Sequence, residues 1–332
     1  MIKTLHLHIG THKTGTTSLQ RFLYGNRSAL ADSGFVYPTN SLYFWAGECS
    51  HSFLAHALRT ERPHYLPEAV HYDRQTAYEA LQQDCLRNRG KDMIISSEHF
   101  SLLYKNDDTK EIATQFQRLA DTVKVYVYIR RQDYAIEANY KQGLRSRAFH
   151  CDFETYVSNV LETEFGRYDY ASLLSIYRAQ FGDENVVARV YAPDKLVNRS
   201  VVDDFLSLIG IQNSPSFQQV PKTNSSLPAE MLEFLRHFAP HVNRQQWQAL
   251  KRRVLAHQHI FRSAGLSFLT HEVSQRLLDA YGTSNRSLAL MLNDSVDIPV
   301  FEEPVAKGSA VPPSMSANEL AHLTCEIFDF LK

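Results

Sequence analysis

The stretch Leu5-His6-Leu7-His8-Ile9-Gly10-Thr11-His12-Lys13-Thr14-Gly15-Thr16-Thr17-Ser18-Leu19-Gln20 carries a complete strand–loop–helix signal. Leu5, Leu7 and Ile9 alternate with histidines, the period of a β-strand. Gly10 and Gly15 then bracket a small polar loop. Leu19, Phe22 and Leu23 follow at helical spacing, which predicts a helix starting near Thr16. At such a junction backbone N–H groups converge and the helix dipole favours an anion, so the stretch predicts a phosphate cradle.

The position of the lysine qualifies this. A Walker A loop has the form GxxxxGK[ST], with lysine directly after the second glycine. Here the spacing from Gly10 to Gly15 fits, but Thr16 stands in the lysine's place and the loop's cation is Lys13. A cation there still lies against a bound phosphate, from the loop instead of the helix. The loop Gly10-Thr11-His12-Lys13-Thr14-Gly15-Thr16-Thr17-Ser18 resembles the 5′-phosphosulfate loop of the PAPS-dependent sulfotransferases, particularly the bacterial and carbohydrate-acting ones. PAPS is 3′-phosphoadenosine 5′-phosphosulfate.

Downstream of the loop, Asp73 to Arg89 reads as an amphipathic helix ended by Gly90. Asp92 to Ser97 reads as a second strong strand and runs into Glu98-His99. Open parallel sheets gather functional residues at the carboxyl ends of their strands. Glu98 and His99 are therefore the best-placed acid–base candidates, with His51, from the His-rich stretch that also holds His56 and His64, as a further one. No HxxxH with a supporting acid appears, so no metal site is expected. Val123 to Ile129 is a nearly continuous run of β-formers, as in a buried parallel strand, and ends in Arg130-Arg131. Paired arginines at a strand end suit bidentate phosphate capture. A helix from Asp133 to about Arg147 follows, then a strand at Val186 to Tyr191 and a helix closed by Gly210.

Strand and helix thus alternate to about residue 210, which predicts an α/β fold. The expected class is a P-loop-like three-layer fold with a central, mostly parallel sheet and a helical C-terminal portion. One domain is expected over residues 1–301, helical from about 227, followed by a linker and C-terminal helix over 302–332.

Bulk composition narrows the classes further. The 332 residues are 44% hydrophobic and 21% charged, with a net charge of −1. That excludes a global basic field for nucleic acid or anionic membrane, so any anion site must be local. Cys49, Cys85, Cys151 and Cys325 show no CxxC and no pairing rhythm, which predicts free thiols. No signal peptide is expected ahead of the first strand, and no apolar run approaches about 18 residues. A cytoplasmic protein with no membrane span is the expectation.

The resemblance adds roles. It implies that Arg130 contacts the 3′-phosphate of PAPS, at the strand end where the family carries arginine. The family's serine two helical turns later falls on Ala138 here, with Asn139 beside it as a donor. A Lys222-Thr223-Asn224-Ser225-Ser226-Leu227 loop resembles the family segment that closes over the nucleotide, implying contacts from Lys222 and Asn224. The implied reaction moves a sulfuryl group from PAPS to a hydroxyl, by resemblance that of a carbohydrate or glycolipid, without Mg²⁺. Lys13 would stabilise the leaving phosphate. Thr11, His12, Thr14, Gly15, Thr16, Thr17 and Ser18 would hold the 5′-phosphate, and Glu98, His99 or His51 would take the acceptor's proton. Two other classes stay open: a P-loop kinase using ATP and Mg²⁺, and a non-catalytic nucleotide-binding or interaction protein of the same fold.

Overall fold

The computed structural model describes the chain except residues 45–47, 59–72, 104–105, 212–216, 220–226, 262–266, 306–314 and 329–332, and the side chain of residue 106. Lys222, Asn224 and His64 lie outside the described residues. The chain runs β1 (Ile2–His8), α1 (Thr16–Gly25), α2 (Arg27–Asp32), β2 (Phe35–Val36), α3 (Ser52–Ala57), α4 (Arg74–Arg87), β3 (Asp92–Ser96), α5 (Asn106–Leu119) and β4 (Ala120–Ile129). It continues α6 (Gln132–Ser146), α7 (Phe153–Thr163), α8 (Phe165–Tyr168), α9 (Tyr170–Phe181), β5 (Val186–Val190) and α10 (Val201–Leu208). The rest is helical: α11 (Ala229–Phe238), α12 (Arg244–Ala256), α13 (His271–Ala280), α14 (Gly282–Asn293) and α15 (Ala317–Phe328).

By its internal contacts the chain forms two units. The first comprises Met1–Arg130, Gly166–Thr223 and Ser284–Phe301; the second comprises Arg131–Phe165, Asn224–Thr283 and Glu302–Lys332.

The first unit is a five-stranded sheet in the order β2-β3-β1-β4-β5, every pair parallel. Register places Leu7 beside Ile95 on one side and Val125 on the other. Both faces are covered, which is why the strands are rich in Val, Ile and Leu. On one face Leu19, Phe22 and Leu23 of α1 meet Phe205 and Leu206 of α10 over Ile94 and Tyr126. On the other, Leu81 of α4, Phe116 of α5 and Leu174 and Tyr177 of α9 cover Leu7, Ile95 and Val125. Each such fully buried aliphatic side chain contributes roughly 1.5–3 kcal/mol. The expected three-layer α/β architecture with a parallel sheet is therefore present. Buried Asp204 locks the α10 side: it accepts from half-exposed Arg189 Nη2 at 2.7 Å, Tyr128 Oη at 2.8 Å and the Val197 amide at 3.2 Å.

The second unit is helical. Met231, Phe234, Trp247, Leu250, Val254 and Ile327 form its core from α11, α12 and α15. Asn243 and Gln246 close a reciprocal capping box at the start of α12. Gly143 of α6 has no side chain because the Phe149 ring occupies the space: a Cβ there would lie 1.8 Å from Phe149 Cδ2. Among the described residues no helix is long and apolar enough to cross a membrane.

Candidate functional site

The candidate site sits in the first unit, at the carboxyl ends of β1, β3 and β4. β1 leads away to β2 on one side and β4 to β5 on the other, so the ends of these two neighbouring strands open a crevice. The loop from Ile9 to Gly15 follows β1 at this edge. Gly10 adopts φ +44°, and a Cβ there would lie 2.8 Å from Thr16 Cγ2 and 3.3 Å from the His8 ring. Gly15 adopts φ +77° and caps α1 with no side-chain hydrogen bond among the described residues; a Cβ there would lie 3.0 Å from Val201 Cγ1 and 3.1 Å from the Tyr191 ring. Lys13, between them, is held at φ +70°. A left-handed lysine costs roughly 1–2 kcal/mol, and such strain is retained where surrounding contacts impose it.

Those contacts come from the threonines. Thr11 Oγ1 donates to the Tyr128 carbonyl at 2.7 Å, and Thr14 Oγ1 donates to the Thr11 carbonyl at 2.7 Å. Both hydroxyls therefore brace the loop. Thr16 is buried, with its methyl under Gly10, whereas Thr17 is exposed and Ser18 half-buried. Arg130 Nη1 donates to the Lys13 carbonyl at 3.3 Å, while Tyr170 Oη donates to the Arg130 carbonyl at 2.7 Å. Strand end and loop are thus joined, and Arg130 lies beside the loop.

Glu98 opens a 3-10 turn directly after β3, capped by Ser97. Its Oε2 accepts from Gln20 Nε2 of α1 at 2.9 Å. The carboxylate is therefore tied to α1, the helix that follows the Gly10–Gly15 loop. His99 follows, with its ring 4.4 Å from that of His56 and 5.7 Å from that of His12. Burial, then the nearby charges of Arg167, His99 and Lys13, hold the His12 imidazole well below its ordinary range. Among the described residues no three His, Cys, Asp or Glu side chains converge to hold a metal ion.

Three sequence candidates occupy other environments. His51 is fully buried. Its Nε2 donates to the Pro38 carbonyl at 3.0 Å and its Nδ1 accepts from the Ser96 amide at 3.1 Å. Both nitrogens are engaged by backbone, and burial pushes the ring down to about 4, so His51 is a neutral strut between Pro38 and β3. Arg131 is 2% exposed and pairs bidentately with Asp133 at 2.8 and 2.9 Å; its Nη1 donates to the Glu303 and Pro304 carbonyls. Of the two arginines read from sequence, this one is consumed within the second unit. Asn139 also belongs to the second unit, where its amide donates to Tyr156 Oη at 2.6 Å.

Sequence reasoning did not reach Gln20 or Arg167. Gln20 stands one turn after Thr16, on the cradle side of α1, which is a usable signal; Arg167 has none, because only the fold brings it near His12.

No family model matches the chain. An uncharacterised protein of Archaeoglobus fulgidus is 29% identical over 137 residues, which span 41% of this chain and 34% of that protein. The match thus spans about a third of that relative's length. A crystal structure of a sulfotransferase from Alicyclobacillus acidocaldarius aligns with 75% of this chain and 100% of its own, at 16% identity and a TM-score of 0.41.

Proposed function

We propose that the first unit binds PAPS on the Gly10–Ser18 loop and transfers its sulfuryl group to an acceptor hydroxyl, by resemblance a carbohydrate or glycolipid one. The observation that supports this reading is the tether between Gln20 and Glu98: it links a carboxylate to the same helix whose uncapped N-terminus forms an anion cradle. The residues fit the co-substrate. Gly15 caps α1 without a side-chain hydrogen bond, so the first amides of α1 would face the 5′-phosphate, and Lys13 and Arg130 would supply cations beside it.

In the proposed step the acceptor oxygen forms a bond to sulfur as the bond from sulfur to the bridging oxygen breaks. The electron pair leaves on the 5′-phosphate. Charge grows on that phosphate and on the bridging oxygen, so Lys13 and the loop amides act there, mainly through positioning and electrostatics. Thr17 and Ser18 offer the hydroxyls that Thr11 and Thr14 have already committed to the loop. Glu98 takes the acceptor's proton, one oxygen fixed by Gln20. His99 is the alternative base; His51, with both nitrogens engaged, is the less suitable one.

Calorimetric titration with PAP, the desulfated product, against ATP with Mg²⁺ tests the reading on wild type and Lys13→Ala. The expected result is metal-independent PAP binding, weakened about tenfold or more in Lys13→Ala because a charge-assisted contact is worth roughly 1.5–3 kcal/mol. ATP–Mg²⁺ binding without PAP binding would replace the reading with a kinase. Binding of neither would leave an interaction protein of this fold.

A further inference from the structure

Residues 234–271 include Arg236, Arg244, Lys251, Arg252, Arg253 and Arg262 and not one aspartate or glutamate. All 36 acidic side chains of a chain with net charge −1 lie outside this segment. Two of the six cations have partners within the second unit. Arg236 is bidentate to Glu233 at 2.6 and 2.8 Å. Arg253 donates to the Ile327 carbonyl at 2.6 Å and lies over the Phe328 ring. Arg262 is outside the described residues. The other three, Arg244, Lys251 and Arg252, are on α12 and have no carboxylate partner among the described residues. Arg244 and Arg252 are exposed and Lys251 is half-buried; Arg252 Nε reaches only the Gln248 carbonyl, at 3.3 Å.

Helical geometry puts these three in one row. Positions 244, 248, 251 and 252 fall within an arc of about 100° and span roughly 12 Å of axis. Gln248 lies inside the row and adds an amide donor. The row runs beside the stripe of Trp247, Leu250 and Val254, which is buried in the unit's own core.

Ordinary explanations do not cover this arrangement. The helix dipole favours cations in the last turns, which suits Lys251, Arg252 and Arg253. It disfavours Arg244, the first residue of the helix. A face selected for solubility mixes both signs, and this one carries only one. A membrane-surface helix exposes large apolar residues beside its cations; here those residues are the buried ones. What remains is a hydrated, donor-rich row of fixed positive charge, complementary to a linear, hydroxyl-bearing polyanion.

We propose that this face of α12 docks an anionic polysaccharide chain, one bearing sulfate or carboxylate groups. The inference does not use the chemistry proposed for the first unit, and its test contains no nucleotide. Binding of the full chain to fluorescent heparin would be measured at a series of salt concentrations, beside neutral dextran, phosphatidylserine vesicles and duplex DNA. Heparin is expected to bind and dextran not, with log affinity falling against log salt at a slope of about −2 for three contacts. In the variant R244Q/K251Q/R252Q affinity should fall about tenfold or more, and the slope should collapse. The control K91Q/K110Q/K124Q removes the same charge from exposed positions of the first unit and should stay within about twofold of wild type. If the triple variant melts early by circular dichroism, Arg252→Gln alone, at an exposed site, should lose about threefold. The proposal is overturned if the α12 variants keep wild-type affinity, if the control loses as much, or if vesicles or DNA compete as well as heparin.

Discussion

Acidification is the perturbation to which this fold should be most sensitive. His6, His8 and His51 are all buried in the first unit, and burial lowers their rings from an ordinary value of 6.5 to about 4, about 3 and about 4. Burial is also the leading cause for His12, which is held well below 6.5. A lowered value means that the native state keeps the neutral ring while the unfolded chain takes up the proton first. Stability is therefore complete above about pH 7 and is lost as pH falls from 6.5 towards 4. At pH 5.5 each of His6, His8 and His51 favours the unfolded chain by about 1.4 kcal/mol. That figure requires only that the folded value stay below about 5. Together the three remove about 4 kcal/mol, against the 5–15 kcal/mol typical of a whole domain, and His12 acts in the same direction. Most carboxylates titrate below this window, so the histidines dominate it. Urea unfolding followed by circular dichroism at pH 7.5 and 5.5 measures the difference directly. A change under about 1 kcal/mol would refute the claim that these rings are neutral and buried. His6→Phe, which deletes one titrating group, should flatten the pH dependence by about a third or somewhat less.

Lys13→Gly should separate strain from function: relief of the left-handed backbone, set against glycine's freedom when unfolded, raises stability by about 0.5 kcal/mol in a urea titration, while PAP affinity drops. Glu98→Gln should lower turnover about a hundredfold with nucleotide affinity unchanged, as read by calorimetry beside a sulfuryl-transfer assay; weaker PAP binding instead would make Glu98 a ligand contact. Gly143→Ala, which stabilises most helix interiors, should here destabilise by about 1–3 kcal/mol because the methyl meets the Phe149 ring; a raised melting temperature would contradict this. Asp204→Ala leaves Arg189 and Tyr128 without their shared acceptor and should cost about 3 kcal/mol or more in chemical denaturation.

The fold was legible because its signals are local. The run from Val123 to Ile129 could only be a buried strand, and β4 contains it. Asp73 at the head of its helix caps α4 through the Gln75 amide. The junction after β1 was legible for the same reason: its two glycines fall within six residues and α1 starts at Thr16, where the spacing placed it. What lay beyond sequence was side-chain direction. Arg130 and Arg131 read as a pair, yet consecutive residues leaving a strand point opposite ways. One faces the Lys13 carbonyl; the other turns to Asp133. His51 read as a free base because nothing in its neighbourhood shows that Ser96 and Pro38 will enclose it. The Gln20–Glu98 tether spans 78 positions and has no local signature.

The opening alternation shows how the two levels meet. Leu5-His6-Leu7-His8 has the pattern of a strand with one apolar and one solvated face. In the centre of a parallel sheet covered on both sides there is no solvated face, and both histidines lie in the core. They are accommodated by single hydroxyls: Tyr126 Oη at 2.9 Å from His6 Nδ1 and Ser96 Oγ at 2.7 Å from His8 Nδ1. Each leaves a buried Nε2 with no hydrogen-bond partner among the described residues. A leucine at either position would avoid that cost, roughly 1–3 kcal/mol for an unpaired buried polar group. His8 offers what leucine lacks, a flat ring thin enough to lie within 3.3 Å of the Cβ position that Gly10 leaves empty, edge-on to Tyr128 and Phe205, while also bonded to the strand that carries Glu98. The same ring therefore supports the Gly10–Gly15 loop and makes the unit labile to acid, and the pH at which the loop fails should follow the pH at which the sheet unfolds.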